Sequence, residues 1–162
     1  MEPLIDFNIK IGQQFSVEDI DEKELEEHLA REYKPGYSSW ENTRNGLVAE
    51  HYLIEHCGYT NIDEAYKDVA SPCEKPVEVK TFADFRDAEA WKQDVLHNGH
   101  KGMSSLWERK VLWKKGDDIA NYVIFFSRND STYTCDDMFF WDAKKSRYIS
   151  VQTLENSVEY TL

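Results

Sequence analysis

The chain has 162 residues, of which 41% are hydrophobic and 14% aromatic, a size and composition typical of one folded domain and not of a disordered chain. No apolar run approaches the roughly 18 residues of a membrane span and no signal peptide opens the sequence, which predicts an intracellular, cytoplasmic protein. The formal net charge of −12 argues against binding to nucleic acid, because proteins that bind nucleic acid are normally basic.

The acidic residues are concentrated near the N terminus, where residues 1–35 contain ten acidic and four basic side chains. Within this segment, SVEDIDEKELEEHLAREY predicts a helix that has Ser16 as its N-cap and acidic residues in its first turn. Pro35 and Gly36 then predict a break. The sequence therefore predicts an acidic helical extension, residues 1–40, as a candidate surface for a protein partner, followed by a main domain, residues 41–162.

Helix and strand patterns follow one another in the main domain. NTRNGLVAEHYLIEHCGY has apolar residues at helical spacing and predicts a helix that Gly58 ends. AYKDVAS and KPVEVKTF predict two short strands around a turn, and two further helical stretches, DFRDAEAWKQDV and SSLWERKVLWKKGDD, come after them. NYVIFFS predicts a buried central strand, and STYTCDDMFFWDAKKSRYISV predicts a hairpin. This order indicates an α/β or α+β domain with a small mixed β-sheet flanked by helices.

Four ionisable residues stand out in the helix and the strand pair. Glu50 lies on the helix, Asp68 opens the first strand, and Glu78 and Lys80 share one face of the second strand because they are two residues apart. Carboxylates of this kind suit Mg²⁺, which prefers oxygen ligands, and metal-assisted phosphodiester hydrolysis requires such a set. Asp68 and Glu78 are predicted to bind the ion, with the Val79 carbonyl and Glu50 as further ligands. Lys80 is predicted to position the attacking water or to offset charge in the transition state.

The order of a glutamate on a helix, an aspartate and the sequence E-V-K resembles the PD-(D/E)xK nuclease superfamily, which includes many restriction enzymes and Holliday-junction resolvases. The helix sequence GLVAEHYL is similar to the opening helix of archaeal resolvases and of small restriction-endonuclease-like proteins. The resemblance covers roughly residues 45–128. It implies a restriction-endonuclease-like core, a DNA endonuclease that uses Mg²⁺ or Mn²⁺, and a site formed by Glu50, Asp68, Glu78 and Lys80. Such cores commonly act as homodimers, so that two sites meet two DNA strands.

The contacts with DNA are predicted from a basic cluster of Lys101, Arg109, Lys110, Lys114 and Lys115, of which the first four are the predicted contacts. Cationic side chains of this kind bind phosphates. The alternative is an amphipathic helix whose lysines simply face water.

Three other interpretations remain open at this level. Glu78 and Lys80 would form a solvated strand face, with Asp68 as a turn acid, if there were no active site. A catalytically silent module of the same fold, which binds a protein partner or mimics the charge of DNA, is favoured by the net charge. A zinc site at His97 and His100 is disfavoured, because this H-x-x-H pair lacks further ligands at a suitable spacing.

Overall fold

The computed structural model describes residues 7–36, 39–64, 67–82, 122–142 and 147–150. These residues form two α-helices, one turn of 3-10 helix and seven β-strands. The helices are α1, Glu22–Glu32, and α2, Trp40–His56. The strands are β1, Gln14–Ser16; β2, Thr60–Glu64; β3, Lys67–Ala70; β4, Pro76–Phe82; β5, Tyr122–Asn129; β6, Thr132–Asp142; and β7, Arg147–Ser150.

All seven strands belong to one mixed sheet with the order β1-β6-β5-β4-β3-β2. The seventh strand, β7, also pairs with β6. It pairs with residues 139–142 of β6, whereas β1 pairs with residues 132–134. β4 and β5 run parallel, and every other described pair is antiparallel. The chain is therefore a mixed α/β protein, which confirms this part of the predicted fold class.

The predicted strands are confirmed in the described chain. AYKDVAS and KPVEVKTF contain β3 and β4, which pair with each other, and NYVIFFS forms most of β5, between β4 and β6. The predicted hairpin consists of β6 and β7. Two strands were not predicted, because β1 has only three residues and TNIDE in β2 is mostly polar and carries a weak strand signal.

The first helix begins later than the sequence predicts. Ser16 caps a single 3-10 turn, Val17–Asp19, in which its hydroxyl and the Asp19 carboxylate form a reciprocal capping box. Ile20 then has an extended backbone and is buried in the core, so the turn does not continue into a helix. Asp21 is the N-cap of α1, and its carboxylate accepts hydrogen bonds from two backbone N–H groups of the first turn. The prediction of Ser16 as the cap of the long helix is therefore wrong.

The second helix ends where the sequence predicts. Ser39 caps its start by accepting a hydrogen bond from the Asn42 N–H. Cys57 is the C-cap, and Gly58 follows it with a φ of +76°, a backbone conformation that favours glycine.

One face of the sheet packs against the two helices. Val77, Val79, Ile124 and Phe126 belong to the same buried cluster as the apolar side chains of α1 and α2. Phe15 of β1 lies in the middle of this cluster, where its ring stacks on Tyr52 of α2 at a centroid distance of 3.9 Å and meets the ring edge of Phe126 at 5.6 Å. Phe15 thus links the helix layer to the sheet.

The N-terminal segment contributes directly to this core. Phe7, Ile9 and Phe15 are buried, and β1 pairs with the start of β6. Residues 7–36 therefore share one sheet and one hydrophobic core with the residues after 40. Neither helix in the described part of the chain is long and apolar enough to cross a lipid bilayer.

The opposite face of the sheet carries the ionisable residues. The register pairs Glu78 with Val123 and Lys80 with Phe125, and paired residues project from the same face. Val123 and Phe125 are each 1% exposed, so this second face is also largely shielded from water.

Candidate functional site

The candidate site lies on the hairpin formed by β3 and β4, and a compact turn sets the register of these two strands. The Ser71 N–H donates to the Lys75 carbonyl at 2.9 Å, and the Lys75 N–H donates to the Ser71 hydroxyl at 3.1 Å. With the turn closed in this way, Val69 pairs with Val77. Asp68 is the neighbour of Val69, and Glu78 is the neighbour of Val77, so both carboxylates point to the face of the sheet opposite to the helix layer.

Asp68 is anchored to the backbone of β4. Its Oδ2 accepts a hydrogen bond of 2.7 Å from the Val79 N–H. In a strand, the N–H and the C=O of one residue point to the same side. The Val79 carbonyl therefore points toward the edge of β4 at which Asp68 lies.

Glu78 and Lys80 form an ion pair beside this carboxylate. The distance from Lys80 Nζ to Glu78 Oε1 is 3.7 Å. The Lys80 side chain is 31% exposed and the Glu78 side chain is 10% exposed. The Glu78 residue as a whole is only 7% exposed, so it does not belong to a solvated strand face. The burial of Glu78 thus disfavours the interpretation of this acid as an ordinary surface charge.

The electrostatics of Lys80 reflect the same surroundings. Burial lowers the pKa of the Lys80 ammonium below its usual value of 10.5, and the negative charge of Asp68 acts in the opposite direction. Asp68 is therefore near enough to Lys80 to influence its charge. Together, Asp68, Glu78 and Lys80 carry one formal negative charge more than they carry positive, an excess that favours a cation.

Glu50 is placed by its helix. Its carboxylate belongs to a buried residue, 7% exposed, on α2, and α2 packs against β4. The contacts described above join Asp68 to Val79 and Glu78 to Lys80. Glu50 lies on α2, which packs against β4 from the other face of the sheet, and none of these contacts includes it. A buried glutamate on this helix is nevertheless unusual, because Glu is almost never fully buried unless it has a partner.

Some predicted positions lie outside the described residues. These are the four proposed DNA contacts, Lys101, Arg109, Lys110 and Lys114, together with the H-x-x-H pair, His97 and His100. Among the residues that are described, no group of three or more His, Cys, Asp or Glu side chains is arranged to hold a metal ion.

The structure reveals a further buried acid that the sequence prediction missed. Asp137 is 7% exposed and pairs with Phe125, which in turn pairs with Lys80, so Asp137 and Lys80 share one face across three strands. A β-bulge at this point of β6 places Asp136 as an extra residue between the partners of Phe125 and Phe126. Bulges of this kind redirect side chains near functional sites. The sequence signal was the pair of adjacent acids in CDDMFF, directly before an apolar run.

Comparisons of the chain with protein-family models, with curated proteins and with solved structures find no match.

Proposed function

We propose that this chain is a divalent-metal-dependent deoxyribonuclease, an endonuclease with a restriction-endonuclease-like core, that hydrolyses phosphodiester bonds in DNA. The observation that supports the proposal most is the convergence of Asp68, Glu78 and Lys80 on one shielded face of the hairpin. Burial of charged groups costs folding free energy, and clusters with perturbed pKa values are concentrated at functional sites. A chemical role therefore accounts for their placement better than a structural one.

The donor set suits a hard cation. Asp68, Glu78 and the Val79 carbonyl would hold Mg²⁺, Glu50 would contribute directly or through water, and Mn²⁺ would substitute. Each of these donors is an oxygen atom, and Mg²⁺ is usually bound through only one or two carboxylates, with waters and substrate phosphates as the other ligands. A site with two converging carboxylates is thus sufficient for Mg²⁺. Such an ion polarises the phosphate and lowers the pKa of a bound water.

Two side chains would perform the other steps of hydrolysis, namely positioning the water and stabilising the transition state. The hydrogen bond from the Val79 N–H fixes the Asp68 carboxylate, so that it does not need to reorganise when substrate binds. Lys80 would hold the attacking water in line with the scissile phosphorus–oxygen bond and offset the negative charge that grows on the phosphate oxygens. Because its pKa is lowered, Lys80 would release a proton at a smaller free-energy cost than a solvated lysine.

The substrate is proposed to be held by Lys101, Arg109, Lys110 and Lys114, through contacts with backbone phosphates. By family resemblance, two copies of the chain would act as a homodimer, with one site for each DNA strand. Sedimentation of the chain with and without duplex DNA would measure both the association of two copies and the binding of DNA.

The experiment that tests the proposal is cleavage of a mixed DNA panel in the presence of Mg²⁺ or Mn²⁺. The panel contains linear duplex, supercoiled plasmid, single strands, flaps and four-way junctions. The matched variants are Glu78→Gln, which removes a proposed ligand, and Glu74→Gln, which makes the same chemical change at an exposed position of the same hairpin. We expect cleavage of at least one substrate by the parent and by Glu74→Gln, and none by folded Glu78→Gln.

A second function is favoured by one observation, the net charge of −12. Under this alternative, the chain is a catalytically silent module that binds a protein partner or mimics the charge of DNA. If the parent cleaves no member of the panel and does not bind Mn²⁺ in a calorimetric titration, the nuclease proposal is rejected in favour of this module.

A further inference from the structure

Two arginine side chains approach the hydroxyl group of Tyr133, near the start of α2 and the end of β5. Tyr133 is buried, and its hydroxyl donates a hydrogen bond of 3.1 Å to Asn45 Oδ1 on α2. Arg44 precedes Asn45, and Arg128 pairs with Tyr133 in the sheet, so its side chain projects from the same face. Burial raises the pKa of the Tyr133 hydroxyl, and the positive charges of Arg128 and Arg44 both act in the opposite direction. Both guanidinium groups therefore lie near this hydroxyl.

The two arginines keep positive charge that the described residues do not neutralise. In the described part of the chain, neither Arg44 nor Arg128 forms an ion pair. Arg128 Nη1 donates to the Asp130 carbonyl at 3.3 Å, and its Nε is buried without a hydrogen-bond partner. Acidic residues outnumber basic ones by 31 to 19 in the sequence, so two neighbouring arginines without an acidic partner are unexpected. Each guanidinium has five N–H donors, and most of these stay available to an anion.

An exposed aromatic ring lies beside this pair. Trp40 is the first residue of α2 and is 50% exposed. The guanidinium carbon of Arg44 lies 5.9 Å from the centre of the Trp40 ring, a distance typical of a cation–π contact. The two residues are four positions apart on the helix and therefore project from the same side of it. A flat ring and positive charge are thus presented together at the start of α2.

We propose that Trp40, Arg44 and Arg128 form a binding surface for a single strand of DNA. An unpaired base stacks on the Trp40 ring, and the two guanidinium groups bind backbone phosphates. Proteins that bind single strands combine aromatic rings and cationic side chains in this way. Phosphates and acidic peptides both complement the charge of the arginines, and the exposed ring favours DNA, since every nucleotide carries a base that can stack.

This inference rests on the proposed function, because DNA is the substrate named there, and it specifies the form of that DNA. Lys80 pairs with Phe125, three residues before Arg128, on parallel strands. At about 3.3 Å per residue, Arg128 lies roughly 10 Å further along the sheet than Lys80. The two side chains project from opposite faces, so a strand that contacts both would cross the end of the sheet. We therefore expect cleavage next to unpaired DNA, as in single strands, flaps and junctions, in preference to uninterrupted duplex.

The test is the binding of fluorescent oligonucleotides, measured by anisotropy in the presence of EDTA, which removes the divalent cations that cleavage requires. The probes are a single strand and a duplex of the same length. We expect the parent to bind the single strand more tightly than the duplex. Trp40→Ala should weaken binding of the single strand by roughly fivefold or more, because the stacking contact is lost. Equal or tighter binding of the duplex by the parent would overturn the proposal.

Salt dependence separates the phosphate contacts from the stacking contact. For single strands, each phosphate contact contributes about 0.7 to the slope of log affinity against log salt concentration. Arg44→Gln and Arg128→Gln should each weaken binding and lower this slope by about that amount, whereas Trp40→Ala should leave it unchanged. Lys23→Gln, at an exposed position of α1, removes one positive charge elsewhere and should bind as the parent does. Arg44→Gln alters the surface of a helix and provides the answer if Arg128→Gln does not fold.

A measurement on the parent protein needs no variant. A single strand that contains 5-iododeoxyuridine should form a photochemical crosslink to Trp40, which mass spectrometry of the peptides would locate. Crosslinks that map only outside α2 and β5 would overturn the proposal, as would equal affinities of the parent, Trp40→Ala and Arg44→Gln.

The failure of this surface and the failure of the nuclease are distinguishable. Glu78→Gln should bind the single strand at least as tightly as the parent, because it leaves the surface intact. If the three surface residues bind the single strand but the parent cleaves no DNA, only the nuclease proposal fails. If the parent cleaves DNA and the surface variants bind as the parent does, only the proposed surface is rejected.

Discussion

The Asp68 carboxylate accepts the Val79 N–H at 2.7 Å, just beyond the point at which the β3–β4 ladder pairs Val69 with Val77. A side chain of β3 thus takes the place of the backbone acceptor that the next step of an antiparallel ladder would provide. A candidate metal ligand thus also holds β3 to β4. A substitution that keeps the hydrogen bond and one that removes it therefore test the two roles separately.

Replacement of Asp68 tests this dual role. In Asp68→Asn the amide oxygen can still accept the Val79 hydrogen bond, but the negative charge is lost. We expect near-parental stability and a fall in metal-dependent cleavage of at least roughly 100-fold. In Asp68→Ala the partly buried N–H loses its partner, and the free energy of unfolding should fall by about 1–3 kcal/mol. Urea unfolding and the cleavage assay measure the two effects, and equal activity of Asp68→Asn and the parent would remove Asp68 from the site.

The titration of Lys80 is a second prediction. Burial lowers its pKa below 10.5, and the Asp68 charge partly opposes that shift. Asp68→Asn should therefore lower the pKa of Lys80 further, which the carbon chemical shift next to the amine would report. Lys75 on the same hairpin is exposed and serves as the internal reference. An unchanged Lys80 pKa in Asp68→Asn would show that the two side chains do not interact.

The lowered pKa of Lys80 makes the free energy of unfolding depend on pH in a definite direction. The native protein releases the Lys80 proton at a lower pH than the unfolded chain, so between the native pKa and 10.5 the unfolded state binds more protons. The contribution of Lys80 to the free energy of unfolding therefore rises with pH through that window and is lost as pH falls through the native pKa.

For Cys57 we expect the opposite trend, a contribution to stability that falls as the pH rises in alkaline solution. Burial raises the pKa of its thiol from 9.0 to about 11. The unfolded chain loses this proton first, so the stability that Cys57 contributes is complete below pH 9 and is lost as pH rises toward about 11. Urea unfolding at several pH values should show a smaller alkaline decline for Cys57→Ala than for the parent.

Phe15 tests whether the N-terminal segment is part of the folded unit. Its ring stacks on Tyr52 and on Tyr133, the latter at 5.2 Å, and is only 4% exposed. Phe15→Ala should lower the free energy of unfolding by about 3–5 kcal/mol, because it leaves a cavity between the helix layer and the sheet. Trp40→Ala, at a residue that is 50% exposed, should change it by no more than about 0.5 kcal/mol. Equal effects of the two variants would contradict this view of the core.

The sequence predicted those elements whose signal is local. The apolar spacing in GLVAEHYLIEH and the run YVIFF are signals in the local sequence that predict α2 and β5. β1 could not be predicted, because three residues form a strand only when β6 is present beside them. Ser16 carried a correct capping signal, but the burial of Ile20 ended the turn that it caps.

The same distinction, between local signals and those that depend on distant residues, applies to the candidate site. Glu78 and Lys80 are two residues apart, so their shared face could be predicted from the pleat alone. The bond between Asp68 and Val79 depends on the closure of the turn from Ser71 to Lys75, which spacing does not reveal. The position of Asp137 depends on a bulge, and the contact between His28 and His51 depends on how two helices pack. Each of these requires tertiary structure.

The pairing of β1 with β6 has a consequence for biosynthesis. Gln14 and Thr134, which are neighbours in the sheet, are 120 residues apart in the chain. At a synthesis rate of about 5–20 residues per second, the first of these strands waits on the order of 10 seconds for its partner. Until then Phe15 has no Tyr133 or Phe126 to pack against, and such distant contacts also slow folding once the chain is complete. Throughout this interval the exposed early segment carries an excess of negative charge, and charge of one sign opposes association between chains.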